Sequence, residues 1–417
     1  MGERLLNKKV LLGVTGSIAA YKACTVLRTL QSLGAEVKVV MTESAQKFIT
    51  PLTFETLTQN EVVTELFPSN RTVKTRHISY AEWADLILVC PATANIIGKV
   101  ASGIADDFLT TVIMASRVPV MFAPAMDVHM VNNKIYSTNC KKLAALDYIF
   151  LPTAQGKLAS GLSGQGRLVD HHLIVNHVIK AVLGNTHLKG KKVLVTAGPT
   201  REYLDPIRYI SNQSSGKMGY ALAEAAVLRG AEVCLISGPS QLTPMDYIDY
   251  IEVETSEQMA AAVFKQYEDC HAVIMAAAVA DFTSGRISQH KIKKKSEEFN
   301  LKLKKTVDIL SQLGENKKGR ILVGFSLETD NGEQNSIMKL QQKNLDMICL
   351  NNPRYEQGCI GTETNKITLC YPHKKNKELP EMPKWQAAEK ILDEIEEMFN
   401  KKKHNPPRIK KKTKDKR

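Results

Sequence analysis

The sequence predicts an α/β protein of two tandem Rossmann-like domains, each built on a mostly parallel sheet, and three observations carry that prediction. A strand–turn–helix opening is written twice, first as Lys8-Lys9-Val10-Leu11-Leu12-Gly13-Val14-Thr15-Gly16-Ser17 and again as Lys191-Lys192-Val193-Leu194-Val195-Thr196-Ala197-Gly198-Pro199-Thr200. Each copy runs on through a helical stretch into a second apolar strand, near Ala35–Val40 and Ala231–Ile236. The chain, at 417 residues, has room for two separate cores, and β-α-β alternation implies parallel strands joined by right-handed crossovers.

In the first domain, residues 1–184, strands are expected at 8–15, 35–41, 85–91, 118–123 and 148–152. Residues 18–33 repeat apolar side chains at three and four, as a helix packed on a sheet requires, and a further helix at 171–183 closes the unit. The polar, Gly-bounded stretch Gly184–Gly190 separates the halves. The second domain, 185–400, repeats the plan with strands at 191–197, 231–237, 272–278, 320–325 and 345–350, and a helix near 220–229. A basic, strand-like excursion fills 285–306. A final helix, 384–400, places Ala388, Ile391, Leu392, Ile395, Met398 and Phe399 on one face, which predicts packing against the domain. Residues 401–417 read as a disordered basic tail.

Composition narrows the function classes. Hydrophobic content of 43% and charged content of 24% are those of an ordinary globular protein. No apolar run reaches the ~18 residues of a membrane span, and Met1–Lys9 lacks the apolar core of a signal peptide, so a cytoplasmic location is expected. The eight cysteines fall singly, without any Cys-x-x-Cys pair, which favours reduced thiols over a disulfide or zinc framework. The histidines show no metal-ligand spacing. Net charge is +13, but residues 401–417 hold ten Lys/Arg against one Asp and so supply nine of those charges. A salt-sensitive brush with nucleic acid is the most such a tail predicts; a nucleic-acid function is not expected.

Ligands of open α/β sheets bind beyond the carboxyl ends of the strands. Gly13-Val14-Thr15-Gly16-Ser17 follows the first strand and opens a helix, so its backbone N–H groups and the Ser17 hydroxyl form a phosphate seat. The absence of a Gly-x-Gly-x-x-Gly pattern favours a mononucleotide over a dinucleotide. Three further segments stand at or between strand ends: Pro91-Ala92-Thr93-Ala94-Asn95, Gly103–Thr111 and Pro124-Ala125-Met126-Asp127-Val128-His129-Met130. Upstream lies Arg76-His77-Ile78-Ser79-Tyr80.

On these motifs the first half resembles the flavin-dependent cysteine decarboxylases, and among them the phosphopantothenoylcysteine decarboxylases. The resemblance implies a flavodoxin-like domain with FMN at Gly16, Ser17, Pro91, Thr93 and Asn95. It implies His77 as catalytic base, in a site completed by a neighbouring subunit. In the family chemistry the flavin oxidises the substrate thiol, CO2 leaves, and the enethiolate is reduced and protonated. Two positions depart from the pattern. The substrate clamp Pro-x-Met-Asn-x-x-Met here carries Met126, Asp127 and Met130, so an acid stands where the family has Asn. That acid must be protonated, turned away or offset by a cation. The flap Ala-Cys-Gly-x-x-Gly-x-Gly-Arg here reads Ala159-Ser160-Gly161-Leu162-Ser163-Gly164-Gln165-Gly166-Arg167. Ser160, a far weaker acid than a thiol, is expected to relay a proton rather than supply one.

In the second half, Ser211-Asn212-Gln213-Ser214-Ser215-Gly216-Lys217-Met218-Gly219 invites a P-loop reading. It fails, because Ser211 stands five before Gly216 and Met218 replaces the magnesium-binding hydroxyl. What remains is a run of N–H groups, two serines and a helix start suited to phosphate. Ala276–Asp281 ends a strand in a carboxylate, His290-Lys291-Ile292-Lys293-Lys294 projects cations, and Lys339 and Lys343, at i and i+4, are expected to grip one ligand from one helix face. This half resembles the phosphopantothenate–cysteine ligases over about residues 190–400. The resemblance implies activation of 4′-phosphopantothenate by CTP with Mg2+, through an acyl-cytidylate, and then attack by the cysteine amine. It places Asn212 on the acyl-cytidylate, Lys291 at cysteine attack or the developing phosphate charge, and Asp281, Phe325, Lys339 and Lys343 on the nucleotide. Lys305-Thr306-Val307-Asp308 departs from the family's usual Asn-Pro-Asp-Ile. Homo-oligomers with trimer and dimer contacts are implied as well. The alternative is a ligase alone, with the first domain a non-catalytic FMN scaffold; a purely regulatory protein fits poorly with a complete ligase half.

Overall fold

The computed structural model describes residues 3–67, 75–293, 300–328, 330–351 and 361–404. The chain divides into two compact units, Met1–Gly184 and Asn185–Arg417.

The first unit is a five-stranded parallel sheet of β1 (Lys9–Val14), β2 (Glu36–Met41), β3 (Leu86–Ala92), β4 (Val120–Pro124) and β5 (Ile149–Phe150), ordered β2-β1-β3-β4-β5. Helices are α1 (Ala23–Ser32), α2 (Pro51–Thr58), α3 (Arg76–Trp83), α4 (Ala94–Ala101), α5 (Phe108–Ala115), α6 (Val128–Val131), α7 (Lys134–Ala144) and α8 (His171–Leu183). An antiparallel hairpin, β6 (Ala154–Lys157) and β7 (Ser163–Arg167), stands apart from the sheet. Every residue of β3 is buried, which is why it reads as a continuous apolar run rather than an alternation. The helix expected over 18–33 is in two parts. Ser17 accepts from Ala19 N and closes a tighter 3-10 turn, Ile18–Lys22, before α1 begins. The strand expected at 148–152 is regular only at Ile149 and Phe150, with Leu151 N still donating to Phe122 O (2.9 Å); the next donor on the partner strand would be Pro124, which has no N–H to continue the ladder.

The second unit holds β8 (Lys192–Ala197), β9 (Arg201–Tyr203), β10 (Tyr209–Ser211), α9 (Lys217–Leu228), β11 (Glu232–Ser237), β12 (Ile248–Glu252), α10 (Ser256–Tyr267), β13 (Ala272–Met275), β14 (Phe282–Ser284), β15 (Leu303–Lys305), α11 (Ile309–Glu315), β16 (Ile321–Leu327), α12 (Gly332–Gln342), β17 (Met347–Asn351), β18 (Thr364–Asn365), β19 (Ile367–Cys370), β20 (Lys377–Glu378), β21 (Met382–Pro383) and α13 (Lys384–His404). The main sheet is ordered β12-β11-β8-β13-β16-β17-β19-β20; the first six strands are parallel and the last two antiparallel.

Three expectations are corrected here. The strand expected to run to 278 stops at Met275, because Ala277 N turns to the Thr196 hydroxyl (3.2 Å) and Ala278 N to Gly198 O (2.9 Å). Asp281 therefore lies in an exposed loop rather than at a strand end. The excursion at 285–306 is strand-like only where Phe282–Ser284 pairs with Leu303–Lys305; residues 294–299, including Lys294, lie outside the described residues. The final helix extends to His404, four residues into the expected tail, with Lys402 Nζ donating to Gly319 O (2.9 Å) and Arg320 O (3.1 Å). The rest of the tail, 405–417, is outside the described residues. The apolar face of α13 is buried through Ala388, Ile391, Leu392, Ile395 and Phe399. The same helix carries a buried Glu394 held by Lys374 (2.6 Å) and Lys377 (2.9 Å). Those cations outweigh its burial and hold the carboxyl down to about 2.

Candidate active sites

In the first unit the order β2-β1-β3 reverses direction of progress at β1/β3, and the loops leaving those two strands are tied together. Thr15, buried, donates to Pro91 O (2.7 Å) and accepts from Thr93 N (3.1 Å). Gly16 has no room for a side chain, since a Cβ there would sit 2.4 Å from Ser44 Cβ. Ser17 N donates to Thr15 O (2.8 Å), and the Thr93 hydroxyl caps α4 by accepting from Ile96 N. Pro91 is buried, and Asn95 is exposed on the first turn of α4. Two capped helix starts thus stand at the switch point, Ser17 on one and Thr93 on the other, tied together through Thr15.

A cavity of 510 Å3 lies beside this point, lined among others by Ser17, Lys22, Met126, Asp127, Lys157, Ser160 and Arg167. It joins the phosphate-seat loop, the clamp and the flap. Flap and clamp are fastened backbone to backbone, with Met126 N donating to Gly166 O (2.9 Å). A Cβ at Gly166 would fall 2.2 Å from Met126 O, so only glycine permits the contact. His77 does not line the cavity; it is half-buried on the first turn of α3. Met130 is exposed on α6 and also lies outside the lining.

The two departing residues of this half touch each other. Ser160 Oγ donates to Asp127 Oδ2 at 2.6 Å, while Asp127 Oδ1 accepts from His129 N at 3.0 Å and caps α6. The serine hydroxyl first, then the backbone N–H, holds the Asp127 carboxyl below the usual carboxylate range. Both carboxylate oxygens thus accept from donors of the protein itself, an arrangement that favours the charged form. The carboxylate is ionised, bound by the flap, and shares its cavity with Lys22, Lys157 and Arg167. Sequence reasoning missed these three cations and Thr15; Thr15 was legible as the hydroxyl inside the Gly-Val-Thr-Gly-Ser turn.

In the second unit, Asn212 Nδ2 donates to Ala278 O (3.3 Å) and Val279 O (3.1 Å), which sets it against the loop after β13. Thr200 supports the same loop, its hydroxyl accepting from Ala280 N (3.0 Å) and its carbonyl from the Ser211 hydroxyl (2.7 Å). Gly216, at φ +77°, starts α9 in the left-handed region. Lys217 pairs with Glu363 (2.6 Å) and Gly361 O (2.8 Å), so it is not held as a P-loop lysine. Phe325 is half-buried in β16. The Asp281 carbonyl accepts from Thr306 N (3.0 Å), and Lys291 is exposed.

Lys339 and Lys343 keep the one-turn spacing, with Lys343 N donating to Lys339 O at 3.0 Å, and the structure adds a carboxylate partner to each. Lys339 is in α12, but Lys343 lies past its last residue, and each cation is taken by a different carboxylate. Lys339 binds Glu328 and Lys343 binds Asp308 at 2.8 Å. With Lys343 the first favourable cause after the opposing burial, Asp308 sits below the usual carboxylate range. Among the described residues one cluster could offer three metal-ligand atoms, Asp170, His171 and His172, but Asp170 Oδ1 already caps α8 through His172 N (2.8 Å).

A 2-1-3-4-5 sheet with two anion-ready helix starts at its switch point is the architecture of a flavoprotein domain, and a family model described as Flavoprotein matches residues 2–183. A second, DNA/pantothenate metabolism flavoprotein C-terminal domain, matches residues 188–399. The chain is 47% identical over 394 residues to the coenzyme A biosynthesis bifunctional protein CoaBC of Bacillus subtilis, covering 94% of this chain and 97% of that one. It is 43% identical over 390 residues to the protein of the same name from Borreliella burgdorferi, covering 93% and 98%. The crystal structure of the C-terminal domain of a coenzyme A biosynthesis bifunctional protein CoaBC is 40% identical, covers 52% of this chain and 100% of that one, and superposes with a TM-score of 0.46. The chain belongs to the family of coenzyme A biosynthesis bifunctional proteins. It is a bifunctional enzyme, a phosphopantothenoylcysteine decarboxylase and a phosphopantothenate–cysteine ligase. Among the described residues no helix is long and apolar enough to cross a membrane.

Proposed function

We propose that residues 185–400 join 4′-phosphopantothenate to cysteine with CTP and Mg2+, through an acyl-cytidylate, and that residues 1–184 decarboxylate the product with FMN to 4′-phosphopantetheine. The observation that carries the second step is the Asp127–Ser160 hydrogen bond inside the cavity. Replacing an Asn and a Cys by two residues that bond to each other leaves a connected clamp and flap rather than a broken one.

The residues at the β1/β3 ends fit FMN: Gly16 keeps the loop free of a side chain, and the Ser17 and Thr93 hydroxyls stand at the N-caps of neighbouring helix starts. Asn95, beside Thr93, and the buried Pro91 complete that edge. When bound, FMN supplies the two-electron redox step. Met126, Asp127 and Met130 hold the substrate, with Lys22, Lys157 and Arg167 balancing its negative charge. A serine hydroxyl is too weak an acid to finish as an alkoxide. Ser160 therefore gives up its proton only as it receives another, and the cationic Lys157 lines the same cavity. His77 serves as base, and its position outside its own subunit's cavity supports a site completed by a second copy in a cytoplasmic homo-oligomer.

In the ligase half, Asn212 orients the acyl-cytidylate from the loop after β13. Lys291 supports cysteine attack or the developing phosphate charge. Asp281, Phe325, Lys339 and Lys343 take the nucleotide once the two lysines leave Glu328 and Asp308. Mass analysis after incubation with 4′-phosphopantothenate, cysteine, CTP and Mg2+ tests the whole reading. It expects 4′-phosphopantetheine; accumulation of phosphopantothenoylcysteine instead would reduce the first domain to a scaffold.

A further inference from the structure

Residues 285–293 cross the second unit outside any helix or strand, yet they carry Lys291, which must meet the reacting groups at a defined place. What holds this strap is a carboxylate in the turn between β9 and β10. Asp205 has no solvent exposure, and both its oxygens are used. Oδ1 accepts from Ile207 N and Arg208 N, each at 2.8 Å; Oδ2 accepts from Ile292 N at 3.1 Å and Arg208 Nη1 at 3.4 Å. Arg208 Nη1 also donates to Ile292 O at 3.0 Å. A buried acid and its own turn's guanidinium thus grip both backbone polar groups of the residue next to Lys291. Ser288 N adds a second fastening to Leu204 O (2.9 Å).

The turn itself needs only the bonds to Ile207 and Arg208, which form an ordinary Asx turn. The bond to Ile292, 87 residues away, is extra. Burying a carboxylate is costly unless its lone pairs are filled. Burial pushes this carboxyl up, but the N–H groups of Ile207, Ile292 and Arg208 and the Arg208 charge win, and it lies below its ordinary value. An ionised acid can fill four acceptor positions at once, which a neutral amide cannot.

We propose that Asp205 is a positioning residue of the ligase, acting through Arg208 and the Ile292 backbone to set where Lys291 is presented to the substrates. The proposal rests on the role assigned to Lys291. The full-length protein is assayed for CTP-dependent ligation, with decarboxylation of supplied phosphopantothenoylcysteine as an internal control. Asp205→Asn is expected to lower the ligase kcat by roughly 10- to 100-fold, the scale of a misplaced group. The KM for CTP should move less than about twofold and decarboxylation should stay unchanged, because no bond to the nucleotide is removed. In a Lys291→Ala background the same change should cost nothing further, since there is no amine left to position. Losses that multiply, or an unchanged kcat in Asp205→Asn, would overturn the proposal. If Asp205→Asn does not fold, Arg208→Ala removes the guanidinium that bonds Asp205 Oδ2 and Ile292 O and is held to the same non-additivity. Lys291→Ala turning over at the wild-type rate would refute the role of Lys291 itself, and the positioning role with it.

Discussion

The two units present their charges in opposite ways. In the first, Lys22, Lys157 and Arg167 line a cavity and, among the described residues, none forms an ion pair with a carboxylate. In the second, three lysines near the expected nucleotide site already have one: Lys217 with Glu363, Lys339 with Glu328 and Lys343 with Asp308. A ligand entering the first site meets cations ready for it. On the proposed reading, a triphosphate entering the second would have to displace these acids, and its binding should then depend on salt and on Mg2+. The same contrast holds for backbone: the first site is pinned by short capped turns, whereas the second hangs on long loops held by side chains such as Asn212 and Asp205.

The sharpest break between the halves is His77→Gln. It should cut CO2 release by roughly 10²- to 10⁴-fold, the usual worth of a general base, while CTP-dependent ligation continues; a loss of both activities would show that the units do not work separately. Ser160→Ala should slow decarboxylation by about 10² at neutral pH, within the range of a lost proton-transfer group, and Ser160→Cys should restore it. Without the serine hydroxyl, the Asp127 carboxyl rises toward its ordinary ~3.9. Because the folded value in the wild type is depressed, the Asp127 contribution to flap docking is fully present above about 3.9 and is lost only as pH falls through the lower folded value. In Ser160→Ala that contribution is absent at every pH, so an acid limb set by flap docking in the wild type should be flattened in the variant.

For the second site, Lys339→Ala and Lys343→Ala should each raise the KM for CTP by about tenfold, a lost charge-assisted contact, with decarboxylation untouched. Isothermal titration at two salt concentrations checks the partner exchange, which expects a steeper salt dependence than substrate binding shows in the first unit. The smallest effect belongs to the basic segment 405–417: its deletion should leave both rates within about twofold, since it holds none of the residues assigned to either site.

Much of both units is legible in the residues. The order of strands and helices follows from apolar runs such as Leu86–Ala92 and from capping residues such as Thr93 and Asp107. The flavoprotein character follows from the motifs at the β1 and β3 ends. Less legible were features set by contacts across long sequence separations. The strand ending at Met275 looked longer because Ala276–Ala278 is apolar, but its N–H groups are claimed by Thr196 and Gly198. The carboxylate partners of Lys339 and Lys343 did not show because spacing says nothing of Glu328 or Asp308, which arrive from other elements. Helix α13 runs past the end of its apolar pattern because Lys402 finds carbonyl partners 83 and 82 residues upstream.

By itself, then, the sequence determined the two-domain α/β plan and the chemical kinds of residue at each strand end, since local propensity and apolar periodicity are written along the chain. It also showed that Asp127 and Ser160 depart from the family pattern. Only the tertiary structure decided that these two departures are one hydrogen-bonded pair, that the acid is ionised, and that Asp205 holds the strap carrying Lys291. Those outcomes depend on which donors a carboxylate meets in space, and that is settled by folding rather than by neighbours in sequence.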